Sequence, residues 1–264
     1  MTRRCGACSL LLALRTIIVG DVHGCRSELE ALLDLVAFAS GDRLVFVGDL
    51  VARGPDSLGV LDVVRRTGAI VVRGNHEQKL LEWRSARTAW MHGEAAAKPP
   101  IGRMHRDIAR SLRPIDWKSL ETSPMFVDLP EHGARVVHAG LVPGVAFEQQ
   151  SPETLMRIRT VRVRVAGKKK RSRPETKNVL WGAAYAGPPQ VVFGHNAAPG
   201  LQLHPWATGL DTGCVYGGRL TAMVLAQGQR IPRSLSARRA LLVSQAADRV
   251  WFQPASRAAP NRST

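Results

Sequence analysis

Three times within its first eighty residues the chain runs through a short β-branched stretch and halts at a glycine among polar residues. It then resumes with apolar residues at helical spacing. "RTIIV" stops at "GDVHG" and is followed by "SELEALLDLVAFA"; "RLVFV" stops at "GDLVARG" before "DSLGVLDVVRR"; "AIVV" stops at "RGNHE" before "QKLLEWRSA". Runs of four or five β-branched and aliphatic residues suit buried strands, and the segments after them have the 3.6-residue period of amphipathic helices. Strand, polar loop, helix, repeated three times, predicts βαβαβ units and a largely parallel sheet, hence an α/β fold. In such sheets ligands bind beyond the carboxyl ends of the strands, which is where each polar cluster falls.

The remainder reads less regularly. Residues 84–124 are expected to be helical and then looped, with Pro99, Pro100 and Pro114 as breaks. "MFVDL" and "RVVHAG" predict a hairpin turning at Glu131, His132 and Gly133, and "QVVFGH" is another apolar strand ending in a polar residue. "ATGLDTG" and "RLTAMVLA" suggest a closing antiparallel pair. Residues 162–177 read as a flexible basic loop, and the tail 255–264 as disordered. The expected organisation is an N-terminal extension at 1–14, one domain at 15–230 and a C-terminal extension at 231–264. With 264 residues, 45% of them hydrophobic, the chain can bury one sizeable core.

The formal net charge of +16 favours polyanionic partners such as nucleotides, nucleic acid or polyphosphate, although an arginine-rich bias of the whole proteome gives the same figure. Four cysteines (Cys5, Cys8, Cys25, Cys214) are too few for a disulfide framework at this length, so a reducing, cytoplasmic setting is expected. Cys5 and Cys8 form a lone C-x-x-C with no second pair to complete a zinc site. The apolar stretch from Leu10 to Leu14 is too short to span a bilayer, no small-residue cleavage site follows it, and no membrane association is expected.

The polar residues at five strand ends form the candidate site: Asp21 and His23, Asp49, Asn75 and His76, His138, and His195. Carboxylate, imidazole and amide together suit divalent transition metals such as manganese, iron and zinc. One such residue at a strand end is usually structural. Five in series, each beside a glycine that lets the backbone approach a bound group, point to a metal site. Asn75 taken alone serves equally as a helix cap.

Ordered as "GDVHG", "GDLVARG", "GNHE", "HAG" and "GH", these motifs resemble the metallophosphoesterase superfamily in its phosphoprotein-phosphatase branch. The resemblance is to ApaH-type symmetrical dinucleoside-tetraphosphate hydrolases and ApaH-like phosphatases, with "LDTGCVYGGRLTA" adding to it, over roughly Arg15 to Ala226. It implies a β-sandwich flanked by helices and two divalent ions, manganese first, with iron or zinc as alternatives. Asp21 and His23 would bind one ion, Asn75, His138 and His195 the other, and Asp49 both. Such ions about 3.5–4 Å apart hold a hydroxide for in-line attack on phosphorus. Arg53 and Arg73 would grip phosphate oxygens, and His76 would protonate the leaving group.

Members of that branch usually carry an aspartate, supporting the general-acid histidine, where this chain has Ala52; the ApaH type shows "GDLVARGP" as here. The departure favours anhydride substrates, whose leaving groups need less protonation than an alkoxide. The expected function is hydrolysis of phosphoanhydrides in dinucleoside polyphosphates, polyphosphate or capped RNA ends. The alternatives are a serine/threonine phosphoprotein phosphatase and a non-catalytic basic nucleic-acid-binding module. The basic loop 162–177 would funnel polyanions or RNA toward the site, or else be a solvated insertion. His92, His105, His132 and His204 are expected to be surface or packing residues, with His204 the first candidate for an exception. Tyr216 and Arg219 are expected near the pocket.

Overall fold

The computed structural model describes residues 15–165 and 175–253. The N-terminal extension with Cys5 and Cys8, the tip of the basic loop and the tail 255–264 lie outside the described residues. Twelve strands and eight α-helices follow in the order β1 (Thr16–Val19), α1 (Arg26–Leu35), β2 (Arg43–Phe46), α2 (Ser57–Thr67), β3 (Ile70–Val71), α3 (Asn75–Met91), α4 (Arg103–Ser111), α5 (Pro114–Thr122), β4 (Phe126–Leu129), β5 (Ala134–Val137), α6 (Pro152–Arg157), β6 (Thr160–Val165), β7 (Glu175–Leu180), α7 (Trp181–Ala184), β8 (Gln190–Phe193), β9 (Gln202–Leu203), β10 (Ala207–Gly209), β11 (Arg219–Leu225), α8 (Leu235–Arg239) and β12 (Leu242–Ala246).

Two five-stranded mixed sheets face each other, ordered β12-β11-β1-β2-β3 and β4-β5-β8-β10-β9. The βαβαβ opening is present: β1, β2 and β3 are parallel, with Thr16 opposite Arg43 and Val45 opposite Ile70. Successive strand residues point to opposite faces, and the cores follow that period. Ile17, Val19, Leu44 and Phe46 pack outward against α1, α2, Leu80 of α3 and Leu120 of α5. Ile18, Val45 and Val47 point inward to meet Leu129, Val136 and Val192 of the second sheet. A third cluster, with Val137, Val191, Phe193 and Trp181, covers the far face of that sheet. The architecture is the expected α/β sandwich with helices outside.

Local chemistry sets the element ends. The Asp56 side chain accepts the Gly59 N–H at 2.7 Å to cap α2, and Gly68 ends that helix in the left-handed conformation at φ 64°. Pro114 opens α5, where its missing N–H costs nothing. The expected hairpin is β4–β5, pairing Phe126 with Val137.

Two expectations are corrected. "ATGLDTG" and "RLTAMVLA" do not form an antiparallel pair. β10 lies between β8 and β9 in the second sheet, whereas β11 is buried between β1 and β12 in the first. The glycine-rich segment between them carries the chain from one sheet to the other. The stretch read as a loop from 162 is a hairpin at its base, since β6 and β7 pair from Thr160–Leu180 to Val165–Glu175. Its alternating Val and Arg residues have strand period, which the density of basic residues obscures. The chain beyond 230 also belongs to the sandwich: β12 is an edge strand of the first sheet, and Trp251 and Phe252 pack on the outer core.

Candidate metal and phosphate site

Parallel strands put their carboxyl ends on one side. β1, β2 and β3 end there from the first sheet, and β5, β8 and β10, also mutually parallel, end there from the second. The two sets are stitched together: the His195 backbone N–H donates to the Asp21 carboxylate at 3.0 Å, and His138 Nδ1 lies 2.9 Å from the Val47 carbonyl. Asp21, His23, Asp49, Asn75, His138 and His195 thus converge from both sheets. Six non-glycine residues among those described have positive φ, and five lie here: His23, Asp49, Ala52, Arg53 and His195. Left-handed backbone costs an ordinary residue on the order of 1–3 kcal/mol, and such strain concentrates at functional sites.

Asp49 is the centre. Its Oδ1 accepts the His76 backbone N–H at 2.9 Å and lies 3.5 Å from His138 Nε2, while Oδ2 lies 3.6 Å from His23 Nε2. His138 Nε2 is also 3.1 Å from Asn75 Oδ1. The Asp21 carboxylate accepts the His195 backbone N–H through both oxygens, at 3.1 and 3.0 Å. His23 donates Nδ1–H to the Val51 carbonyl at 3.2 Å and His138 to Val47 at 2.9 Å, which leaves their Nε2 lone pairs aimed into the site. Gly194 fits this wall because a Cβ there would overlap the Asp21 carboxylate.

The electrostatics are those of a cation site. Burial, with Asp211 and Asp49 alongside, raises Asp21 well above the usual carboxylate range. Burial pushes Asp49 up to about 7 and Asp211 up to about 6. Burial likewise lowers His23 and His195 and takes His138 down to about 4, so the imidazoles are neutral. Buried carboxylates short of positive charge, beside neutral imidazoles with free lone pairs, fit divalent cations. Two three-residue groups that could hold a metal ion share Asp49: His23, Asp49 and His76, and Asp49, His138 and His195.

Beside this centre opens a cavity of about 740 Å³ whose wall includes Arg53, Arg159, His195, Asn196, Asp211 and Tyr216. Arg53 reaches toward His23 Nε2 and lies over the Tyr216 ring at 5.6 Å. Arg73 is not brought here, against expectation. Its guanidinium donates to the Glu121 carbonyl at 2.7 Å and to Ser123 and Gln78, because Arg73 N–H pairs with Pro124 and turns the side chain toward the end of α5. Arg159 takes the place beside Arg53. It opens no glycine-flanked motif, so the sequence offered no signal for it.

Tyr216 lines the cavity as expected, whereas Arg219 donates to the Ser244 carbonyl at 2.8 Å on the adjoining sheet. His204 is half-buried against Gln202 and Arg238, away from the site. His132 packs between Thr16 and Gln229. His105, expected to be a packing residue, instead meets His76, with Nε2 at 3.0 Å from its Nδ1. Two carboxylates were also missed. Asp211 follows β10 in the "LDTG" stretch. Glu77 is fully buried, and its carboxylate accepts the backbone N–H groups of Asp49, Leu50, Val51 and Gly74 at 2.9–3.3 Å.

Residues 14–229 match the family described as calcineurin-like phosphoesterase. A symmetrical bis(5'-nucleosyl)-tetraphosphatase from Chromohalobacter salexigens is 33% identical over 272 residues, spanning 82% of this chain and 96% of that protein. The asymmetrical bis(5'-nucleosyl)-tetraphosphatase PrpE from Halalkalibacterium halodurans is 29% identical over 223 residues, spanning 78% and 88%. A solved structure, "Crystal structure of a putative diadenosine tetraphosphatase", is 33% identical with a TM-score of 0.67, over 90% of this chain and 95% of that one.

Proposed function

The chain belongs to the calcineurin-like phosphoesterase family, and from that premise we propose that it hydrolyses phosphoanhydride bonds, with dinucleoside polyphosphates as its substrates. It is a metal-dependent hydrolase. The observation that carries the substrate reading is Asp49, buried between two sets of neutral imidazoles, with Arg53 and Arg159 on the adjoining cavity wall. Relatives named as tetraphosphatases, aligned over about four-fifths of the chain, support the anhydride as the bond cleaved.

Asp21, His23 and Asp49 would hold one divalent ion, and Asp49, Asn75, His138 and His195 the other. Manganese is proposed first because the mixed oxygen and nitrogen donor set suits it. When bound, the ions offset the buried carboxylate charge and supply Lewis acidity toward water and the phosphoryl oxygens. The protein's own contribution is positioning. Arg53 and Arg159 bind phosphate oxygens through a planar, permanently charged fork. His76 donates a proton from Nε2, which lies 4.0 Å from Asp49 Oδ2 and faces the site. A cytoplasmic setting is proposed from the free, buried Cys25 and Cys214. Among the described residues no helix is long and apolar enough to cross a membrane.

The test is turnover of diadenosine tetraphosphate, inorganic polyphosphate, capped RNA and a phosphoserine peptide, side by side with the same manganese concentration. The reading expects the highest kcat/KM on the dinucleoside polyphosphate. A preference for the phosphopeptide would make the chain a protein phosphatase instead. Tight RNA binding with no turnover would make it a binding module.

A further inference from the structure

His76 has its two ring nitrogens in different surroundings. Its backbone is fixed by the bond to Asp49 Oδ1 at 2.9 Å, and its Nε2 faces the site. Its Nδ1 lies 3.0 Å from Nε2 of His105, a residue 4% exposed on α4, and the two rings are nearly parallel, at 19° with centroids 5.0 Å apart. No carboxylate of the described residues bonds that Nδ1. The position that precedes Arg53, on the loop against which His76 packs, is Ala52, which is buried and offers no polar side-chain atom. α4 is itself anchored to the site, since the neighbouring Met104 sulfur accepts the Arg53 backbone N–H at 3.0 Å.

A histidine able to give up a proton from Nε2 carries hydrogen on both ring nitrogens, so its Nδ1–H needs an acceptor. We propose that His105 is the positioning residue for His76: its Nε2 lone pair accepts the Nδ1–H and holds the Nε2–H on the leaving oxygen. This rests on the reading of His76 as proton donor given above. In the step it serves, water passes a proton to solvent as its oxygen bonds to phosphorus and the bond from phosphorus to the leaving oxygen breaks. The leaving oxygen takes the His76 proton, and His76 recovers one from solvent. Burial lowers both rings, His105 to about 4 and His76 further still, so His105 is a neutral acceptor at pH 7 and the second proton on His76 has to be held there by this contact and the leaving oxygen.

A neutral imidazole fixes direction but adds no charge. It therefore suits leaving groups that need little protonation, as the phosphate expelled from an anhydride does. An alkoxide needs a full proton and gains most from a donor held firmly in place. His105 thereby serves basic leaving groups most, and an anhydride draws little on it.

The experiment compares wild type, His105→Ala and His105→Gln on a series of phosphate monoesters with leaving groups of graded basicity, and on diadenosine tetraphosphate. All three proteins are assayed with the same manganese, after circular dichroism shows equal folding. Expected for His105→Ala is a fall in kcat of roughly 10–100-fold on the most basic leaving groups, a part of the ~10²–10⁴-fold that a general acid contributes. On the least basic group and on the anhydride the fall should be under about threefold, with KM little changed. The logarithm of kcat should therefore drop more steeply with leaving-group pKa than in the wild type. His105→Gln, which retains an acceptor oxygen, should recover most of the loss. Equal slopes in wild type and His105→Ala would overturn the role of His105, as would a loss that is uniform across the series or fails to recover with Gln. A wild-type protein that turns over none of these phosphates would overturn the reading of the whole site, and the role of His105 with it.

Discussion

Replacing Glu77 by Gln tests whether the loop that carries Asp49 is held from beneath. Burial and the adjacent Asp49 push the Glu77 carboxyl up to about 7, while N–H donors from four residues hold the anion in place. One oxygen, Oε1, serves Leu50 at 2.9 Å and Val51 at 3.3 Å; the other, Oε2, serves Asp49 and Gly74 at 2.9 Å each. Glutamine keeps one oxygen and sets an amide NH₂ against the two donors of the other pair. A buried donor left without an acceptor costs about 1–3 kcal/mol, so the pair costs about 2–6 kcal/mol. For a chain of this size that lowers Tm by roughly 5–20 °C. Asp49 moves with its N–H, and a 1 Å misplacement of a reacting group costs about 10²-fold in rate. The assays are thermal unfolding followed by circular dichroism and kcat/KM on diadenosine tetraphosphate. A variant that melts within 1 °C of wild type and turns over at the wild-type rate would refute the clamp.

Asp49→Asn should lower the bound metal from about two ions per chain, measured by elemental analysis, and abolish turnover; wild-type metal content would remove its shared role. Gly194→Ala should lose metal with little change in helix content, because the added Cβ meets the Asp21 carboxylate. Removing Lys168, Lys169, Lys170 and Arg171 together should raise KM for long polyphosphate more than for a small phosphoester, less so in high salt; equal effects would leave the loop without a binding role. Asp116 gives a pH test. Its burial alone would raise the carboxyl, but bonds from Arg113 and the nearby charge of Arg65 take it below the usual range. A depressed folded pKa gives stability that is present above about pH 4 and lost as pH falls through the folded value. The Tm difference between wild type and Asp116→Asn should therefore shrink from pH 7 to about pH 3, and a constant difference would refute it.

What the sequence made legible was whatever repeats or sits at a strand end. The βαβαβ opening and the convergence of Asp21, His23, Asp49, Asn75, His138 and His195 follow from apolar runs that stop at glycine. Those residues reach the site through the backbone of the strand before them, so their positions follow from sheet topology. Glu77, Asp211, His105 and Arg159 reach it otherwise. Glu77 lies in the first turn of α3, where an acidic residue reads as a capping-box member, and its carboxylate does also accept the Gly74 N–H. Its larger role depends on the loop after β2 folding over that turn. His105 depends on how α4 docks, and Arg159 on where the β6–β7 hairpin lies; no local pattern encodes either. Arg73 failed for the complementary reason. It stands two residues before Asn75, but its N–H pairs with Pro124 and its guanidinium is taken up by Glu121, Ser123 and Gln78, contacts that no local pattern encodes.

The segment from Asp49 to Gly54 shows how a strained loop is kept in working shape. Three of its residues, Asp49, Ala52 and Arg53, hold positive φ at 50°, 75° and 72°, which unsupported chain would relax. Every N–H along it has an acceptor, and none of these acceptors is the regular backbone carbonyl of a helix or a strand ladder. Glu77 takes those of Asp49, Leu50 and Val51; the Ser57 hydroxyl takes Ala52 at 3.0 Å; the Met104 sulfur takes Arg53; the His23 carbonyl takes Gly54 at 2.8 Å. The acceptors come from α3, α2, α4 and the first strand-end loop. The strain is therefore offset by parts of the chain that are themselves fixed by the core, and its outcome is that Asp49 and Arg53 present their side chains on the same side. The carboxylate lies among the imidazoles and the guanidinium lies on the cavity wall, with a buried, uncharged Ala52 between them. A residue at that position is constrained first by the left-handed turn that aims Arg53. The support of His76 is then left to α4, where His105 stands.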